Sequence, residues 1–411
     1  MTKLKKIIAS LLVASACLSP VVAEESSRLA ELSLNLPISI SNNTIGLVDI
    51  FVPELVIDLG DFADRMPNAG LIISGSVDPS VGVKVRVPYL CTIGATMGVN
   101  IYTRFQLSKD VFEFIGHGNS VEEDLDIKEG IGAFADAFVY VQGDVGLNLA
   151  GFKITATPAV FTTLYHAVSD DSYVEAFNRL DGTFGYKVNG NFDIYSPIPI
   201  SQDLLTIEYY TNLDPAVWNA IGFDCGFGIS KQITDMINVR GNCRVPIMPS
   251  HLTSVTGAYV TSEYETSVNE ISTGEIHDGQ FDYGLKETQT ADYIINRPFK
   301  INAYGDFSLA GGMLLLTGGL GLGVEHPFAP NKDEMGVYYE YLLAARLNFL
   351  NMINVTASTE LTDQIYRNSI SAGINIRFVE LNLGASLSSS TFASSFRGDG
   401  LSAFVNLTIG L

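Results

Sequence analysis

Basic residues are scarce in this 411-residue chain: 24 Lys and Arg stand against 45 Asp and Glu, a formal net charge of −21. Phosphate backbones are gripped by clustered Lys and Arg, so this balance excludes nucleic acid as a partner. Charge of either sign is thin, at 17% of residues against roughly 25% in soluble domains. Four cysteines and five histidines leave little material for a redox or zinc centre, and no metal or cofactor is expected. The histidines, at 117, 166, 251, 277 and 326, are scattered, with no Cys or acidic partner at ligand spacing. A Gly-x-Ser-x-Gly elbow, a His-Glu-x-x-His pair, a phosphate loop and a helix-opening Gly-x-Gly-x-x-Gly are all missing. The chain reads as a non-enzyme.

A membrane-spanning helix is missing too. The long uncharged run is Phe307 to Val324, but six of its residues are glycine, each costing about 1 kcal/mol against alanine in a helix. Within it Leu314, Leu316, Leu320, Leu322 and Val324 fall on one parity, and Thr317, Gly319, Gly321 and Gly323 on the other. The run is the end of one strand, a Gly-Gly turn and a second strand.

Alternation is what the sequence has in abundance. Val337, Tyr339, Tyr341, Leu343, Ala345, Leu347 and Phe349 oppose Glu340, Arg346 and Asn348. Ala133, Ala135, Ala137, Val139, Val141, Val145, Leu147 and Leu149 oppose Asp136, Tyr140, Gln142, Asp144 and Asn148. The pattern recurs at 91–106, 152–166, 182–195, 253–268, 299–309, 365–378 and 379–390. Soluble strands average about 5–6 residues, whereas a tilted strand needs about 9–11 to cross a bilayer. Long alternating strands with little charge fit lipid outside and water inside. The expected fold is all-β: a single transmembrane antiparallel β-barrel of about 14 strands. Leu401 to Leu411 alternates to the end of the chain, as a barrel-closing strand does.

Residues 1–23 read as a secretory signal: Lys3, Lys5 and Lys6, an apolar core from Ile7 to Ala16, and cleavage after Val21-Val22-Ala23. A competing reading lipidates Cys17 behind Ala14-Ser15-Ala16. Export leaves Cys91, Cys225 and Cys243. Cys225 and Cys243 either close a short disulfide between neighbouring strands, or all three are small apolar residues on a buried or lipid-facing surface. Residues 24–80 carry short apolar runs broken by Asn42-Asn43, Pro53 and Pro79. They are expected to form a plug inside the barrel or a periplasmic segment, with the barrel over 81–411. Acids gather at 122–129, 169–181 and 263–292, which read as solvated loops.

Parity places Lys300, Arg346 and Arg377 on polar strand faces, with Tyr304 and Tyr338 sharing the first two. Two readings are open: a weak stop for an anionic head group beside an aromatic pocket, or cations that pair with Asp136, Asp306 or Glu340 and brace the interior.

The stretch Arg297-Pro298-Phe299-Lys300-Ile301-Asn302-Ala303 resembles the start of a mid-barrel strand in the FadL-type family, the outer-membrane long-chain fatty acid transporters. Ser41-Asn42-Asn43-Thr44-Ile45-Gly46-Leu47 resembles that family's early segment. The architecture resembles the acidic, divergent versions found in spirochaetes such as treponemes. The resemblance implies a lumen blocked by an N-terminal hatch, apolar pockets, a lateral opening in the wall, and diffusive import of hydrophobic molecules, long-chain fatty acids foremost. Its implied partners are those ligands, outer-membrane lipid and the barrel assembly machinery. Two other functions compete: a surface structural barrel or adhesin, and a general diffusion porin.

Overall fold

The computed structural model describes residues 28–44, 58–87, 90–118, 125–200, 219–273, 279–328, 336–350, 352–362, 364–376 and 378–410. The signal segment with Cys17, the acidic run Glu122-Glu123-Asp124 and Arg377 lie outside the described residues.

The first ten strands are β1 (Ala30–Asn42), β2 (Leu71–Val77), β3 (Ser80–Val87), β4 (Cys91–Leu107), β5 (Leu125–Ile127), β6 (Gly132–Leu149), β7 (Phe152–Ser169), β8 (Tyr173–Asn178), β9 (Thr183–Ser196) and β10 (Ile221–Gln232). The rest are β11 (Ile237–Met248), β12 (Ser250–Ser267), β13 (Gln280–Ile295), β14 (Phe299–Leu309), β15 (Leu314–Val324), β16 (Val337–Phe349), β17 (Ile353–Thr362), β18 (Ile365–Ile376), β19 (Val379–Ser389) and β20 (Leu401–Gly410).

The wall runs β1, β2 with β3, β4, β6, β7, β10, β11 and then β14 to β20, every neighbour antiparallel. β20 pairs with β1 from Glu31↔Gly410 to Ile40↔Leu401 and closes the ring. Counting β2 and β3 as one interrupted strand, the described residues form a closed 14-strand barrel, as the alternation predicts. Closure pairs the backbone all round and leaves the wall no free edge.

The two faces differ in the sense expected for lipid outside. Val81, Val83 and Val85 on β3, Leu320 on β15, Leu343 on β16 and Ile370 on β18 point outward, exposed. Asp306, Glu340, Glu360, Ser386 and Ser402 point inward, buried. One end of the barrel has tight turns. Between β14 and β15 the chain reverses through Ala310-Gly311-Gly312, all at positive φ (51°, 66° and 91°), a conformation glycine adopts at little cost. The predicted strand, Gly-Gly turn and strand are all present.

The opposite end carries long excursions. Helices α1 (Leu59–Arg65) and α2 (Lys109–His117) meet there through an edge-on contact of Phe62 and Phe112 at 5.5 Å. β11 continues through Pro249 into β12, and β13 returns through Asn296-Arg297-Pro298 into β14. The risen hairpin pairs with β9 and through it with β8 and β5, while β9 docks on the upper end of β7 (His166↔Tyr195 to Ser169↔Phe192).

Three expectations need correction. Residues 30–42 and 71–80 are not a plug or periplasmic segment: they are wall strands, and the boundary at 81 cuts through β3. The acidic runs expected as loops hold structure: 122–129 contains β5, 169–181 contains β8, and much of 263–292 is the end of β12, helix α3 (Val268–Thr273) and most of β13. Both faces of β13 are largely exposed, so neither had reason to be uniformly apolar. Cys225 and Cys243 are free rather than bonded. They are diagonal neighbours, each two residues out of register (Cys225↔Val245, Phe227↔Cys243), on the outward face shared with Phe227.

Candidate functional site: the barrel lumen

The loop end of the lumen is closed by mid-chain residues. Leu252 at the foot of β12 and Tyr293 and Ile295 at the end of β13 pack with Ala220 on the inward rings of Phe138, Tyr140 and Phe161. Arg297, in the link to β14, lies over the Tyr140 ring at 4.4 Å and 3.3 Å from Asp224 Oδ2. Tyr293 stacks on Tyr195 at 4.3 Å and on His166 at 5.0 Å.

Below this closure the interior is laced with ion pairs: Lys300–Glu340 at 2.8 Å, Arg240–Asp306 at 3.2 Å and Arg367–Glu360 at 3.9 Å. Asp306 also accepts from Thr317 Oγ1 at 2.9 Å and Asn238 Nδ2 at 3.0 Å. Burying an unpaired carboxylate costs several kcal/mol, so acids inside a barrel arrive with partners.

Between the ladder and the closure lies a cavity of about 340 Å³. Tyr102, Phe134, Phe138, Tyr304 and Tyr338 supply aromatic walls, Lys300 and Arg244 its cations, and Asp78 touches it from the strand wall. The glycines of β15 make the aromatic lining fit. A Cβ at Gly319 would run into the Tyr304 ring, and one at Gly323 into the Tyr338 ring, their cross-strand partners. Gly319 and Gly323 are therefore seats for tyrosine, while Gly321 makes room for Asn302 and Glu340.

Of the predicted lumen residues, Lys300, Tyr304 and Tyr338 are brought together on this cavity. Lys300 Nζ sits 5.6 Å from the Tyr338 ring, and the Arg240 guanidinium lies 4.6 Å over Tyr304. Arg346 is not with them: it lines a separate polar vestibule of about 730 Å³ near the tight turns, with Arg240, Asp306 and Asn348.

Sequence reasoning missed a cluster at the cavity edge. His166 of β7 and His326, just beyond β15, are 160 residues apart in the chain yet both contact Asp136 of β6. His166 Nδ1 lies 2.7 Å from Asp136 Oδ1 and His326 Nε2 3.3 Å from Asp136 Oδ2. Burial disfavours a charged His326 ring, but Asp136 overrides it and holds its pKa above the ordinary histidine value. Asp136 and His166 are cross-strand partners in the β6–β7 pair, but His326 joins them only across the ring, which no local pattern reveals.

Beside the cavity a wall strand is interrupted, where β2 gives way to β3 at Asp78-Pro79. Register is kept on both sides (Ile38↔Val77 and Asn35↔Ser80 on β1, Val77↔Ile101 and Ser80↔Gly98 on β4). Asp78 N–H donates to Pro37 O and Val99 N–H to Pro79 O, each at 3.0 Å. The return bonds cannot form, because Pro37 and Pro79 have no N–H.

A closed antiparallel barrel, apolar outside, polar inside and filled at one end, is the architecture of a transmembrane β-barrel with an occluded lumen. Among solved structures the chain is similar to the Ralstonia pickettii toluene transporter TbuX (9% identity, 97% of this chain and 95% of that one, TM-score 0.46). It is also similar to a Pseudomonas aeruginosa FadL homologue (10%, 94% and 90%, TM-score 0.46) and to the translocator domain of the Neisseria meningitidis autotransporter NalP (9%, 100% and 96%, TM-score 0.33). No protein-family model and no curated protein matches the sequence. At such identities and overlaps these likenesses fix neither family nor cargo, and the fold stands on its own strand pairing.

Proposed function

We propose that this protein is an outer-membrane channel that admits small hydrophobic molecules, with long-chain fatty acids the favoured class. Cargo rests in the aromatic cavity and leaves sideways at the proline-weakened seam. The observation that carries the reading is the cavity itself: aromatic walls, Lys300 and Arg244 beside acids that offset them, and contact with the wall at Asp78. An acyl chain needs only apolar walls, at about 0.8 kcal/mol per buried methylene. Lys300 is already neutralised by Glu340, so it serves as a weak head-group stop and the walls supply most of the affinity. Export through a signal over 1–23, insertion by the barrel assembly machinery and contact with outer-membrane lipid belong to the same reading. So does assignment to the FadL-type family, with the hatch built from mid-chain residues instead of the N-terminus.

The test is displacement of a fluorescent fatty acid from the detergent-folded protein. Oleate should compete and a sugar should not. Lys300→Met with Glu340→Leu, which removes both charges together, should weaken oleate several-fold and leave a long-chain alcohol unchanged. Failure of oleate to displace the probe sinks the reading. The packing of Leu252, Tyr293 and Ile295 into the lumen favours a second reading, a filled barrel serving as a surface anchor. That reading gains if neither oleate nor the alcohol binds, while sugar-driven swelling of loaded liposomes would instead mark a porin.

A further inference from the structure

We propose that Asp136, His166 and His326 hold a divalent transition-metal ion that straps the lumen from one side of the barrel to the other. One ligand atom from each residue lies within 4.8 Å of the others, and all three residues are buried. Two imidazoles and a carboxylate suit zinc and its neighbours, and they leave a coordination position open. Asp136 and His326 line the cavity, as does the neighbouring Glu325, so an open position would face it.

The hydrogen bonds around the cluster select the metal-binding nitrogens. His326 Nδ1 is 3.3 Å from the Asn296 carbonyl, which can only accept, so Nδ1 carries the proton. Nε2 then faces Asp136 Oδ2 at 3.3 Å, so either a proton or a metal ion lies between them. It has no hydrogen-bond partner, in a ring only 3% exposed. A lone pair facing a carboxylate in a dry interior is repulsive unless a cation lies between them. The observed gap is about the ligand–ligand edge of a tetrahedral zinc site, roughly 3.3 Å for bonds near 2.0–2.1 Å. With no ion between them, His166 Nδ1 donates to Asp136 Oδ1 at 2.7 Å; to ligate through Nδ1 it would give up that proton, and the ring would carry its proton on Nε2, 3.1 Å from Tyr293 Oη. Tyr293 would accept that proton's hydrogen bond, as the outer partner of a ligating histidine usually does. His326 thus draws in Asn296 and His166 draws in Tyr293, both from the chain that closes the lumen. The ion would tie β6, β7, the turn beyond β15 and the closure into one unit.

A proton on His326 Nε2 is the competing cation, and metal titration separates the two. The full chain, folded in detergent and stripped with EDTA, is titrated with Zn²⁺ and, in parallel, Co²⁺. Expected are one zinc per chain that survives gel filtration, and visible ligand-field bands with cobalt. His326→Gln and Asp136→Asn should each abolish stoichiometric uptake. Tyr293→Phe, which leaves the ligands in place, should weaken zinc by about 10–100-fold in protein that still shows heat-modifiable migration. Absence of saturable uptake by the folded wild type overturns the proposal. So does unchanged uptake by the folded His326→Gln variant. Should that variant fail to fold, the wild-type cobalt spectrum decides, since no bands means no such site.

Discussion

β16 in the wall and β13 above it are strands of similar length, 13 and 16 residues, but only β16 separates apolar from charged side chains. β16 presents Leu343 and Leu347 outward and Glu340 inward. On β13, Phe281, Tyr283, Lys286, Glu287 and Asp292 follow no parity, and most of the strand is exposed. Alternation is thus a record of two different surroundings on the two faces, not of strand formation as such. Where both faces meet water, backbone pairing with β12 and the Lys286–Asn191 hydrogen bond to β9 keep the strand in place.

The sharpest break in this comparison comes from placing the same charge on both strands. Leu343→Arg, near the middle of β16, should cost about 2–4 kcal/mol at the bilayer midplane and lower the yield of heat-modifiable barrel. Tyr283→Arg, equally outward but on β13 (71% exposed), should stay within about 0.5 kcal/mol. Urea unfolding of the two variants in lipid checks this. Equal losses would mean that β13 is also in the membrane.

The next effect is smaller and local. Leu252 is fully buried among Phe138, Phe161 and Ile295. Truncation to alanine should cost about 2 kcal/mol, the low end for a buried leucine, because the neighbouring cavity lets the cluster relax. If closure and wall are separable, Leu252→Ala should raise the conductance of the protein in planar bilayers while leaving heat-modifiability intact. An unchanged conductance with a lower urea midpoint for the whole barrel would show that they melt as one.

The same contrast explains what was legible in the sequence. Wall strands were readable wherever lipid and lumen impose opposite chemistry within a few residues, down to the Gly311-Gly312 reversal and the closing strand β20. β1 was just as regular: Leu32, Leu34, Leu36, Ile38 and Ile40 oppose Ser33, Asn35, Ser39 and Ser41. Pro37 and the break at Asp78-Pro79 disguised it and its neighbour as irregular chain. Lys300, Tyr304 and Tyr338 were found by parity because all three lie in the alternating wall. The closure and the Asp136–His166–His326 cluster depend on which distant segments meet across the ring, and a one-dimensional pattern carries no such information.

The smallest expected effect tests the seam at the break between β2 and β3, where Pro37 faces it from β1 and Pro79 faces β4. Pro37→Ala and Pro79→Ala each restore an N–H to a position whose partner already lies at hydrogen-bonding distance across the ladder. Each new bond should contribute about 1 kcal/mol. Against this, each lost proline loosens the unfolded chain by about 0.4–1 kcal/mol. Global stability should therefore barely move, and a urea midpoint is the wrong measurement. Hydrogen exchange at Asp78 and Val99 is the right one, because it reports local opening of the seam rather than unfolding of the barrel. Exchange there should slow about fivefold in the double variant, since 1 kcal/mol is a factor of about 5 in an opening equilibrium. Oleate uptake into proteoliposomes should slow with it if cargo leaves through this seam. Slower exchange with unchanged uptake would send the exit elsewhere and leave the two prolines as a local fault in the ladder.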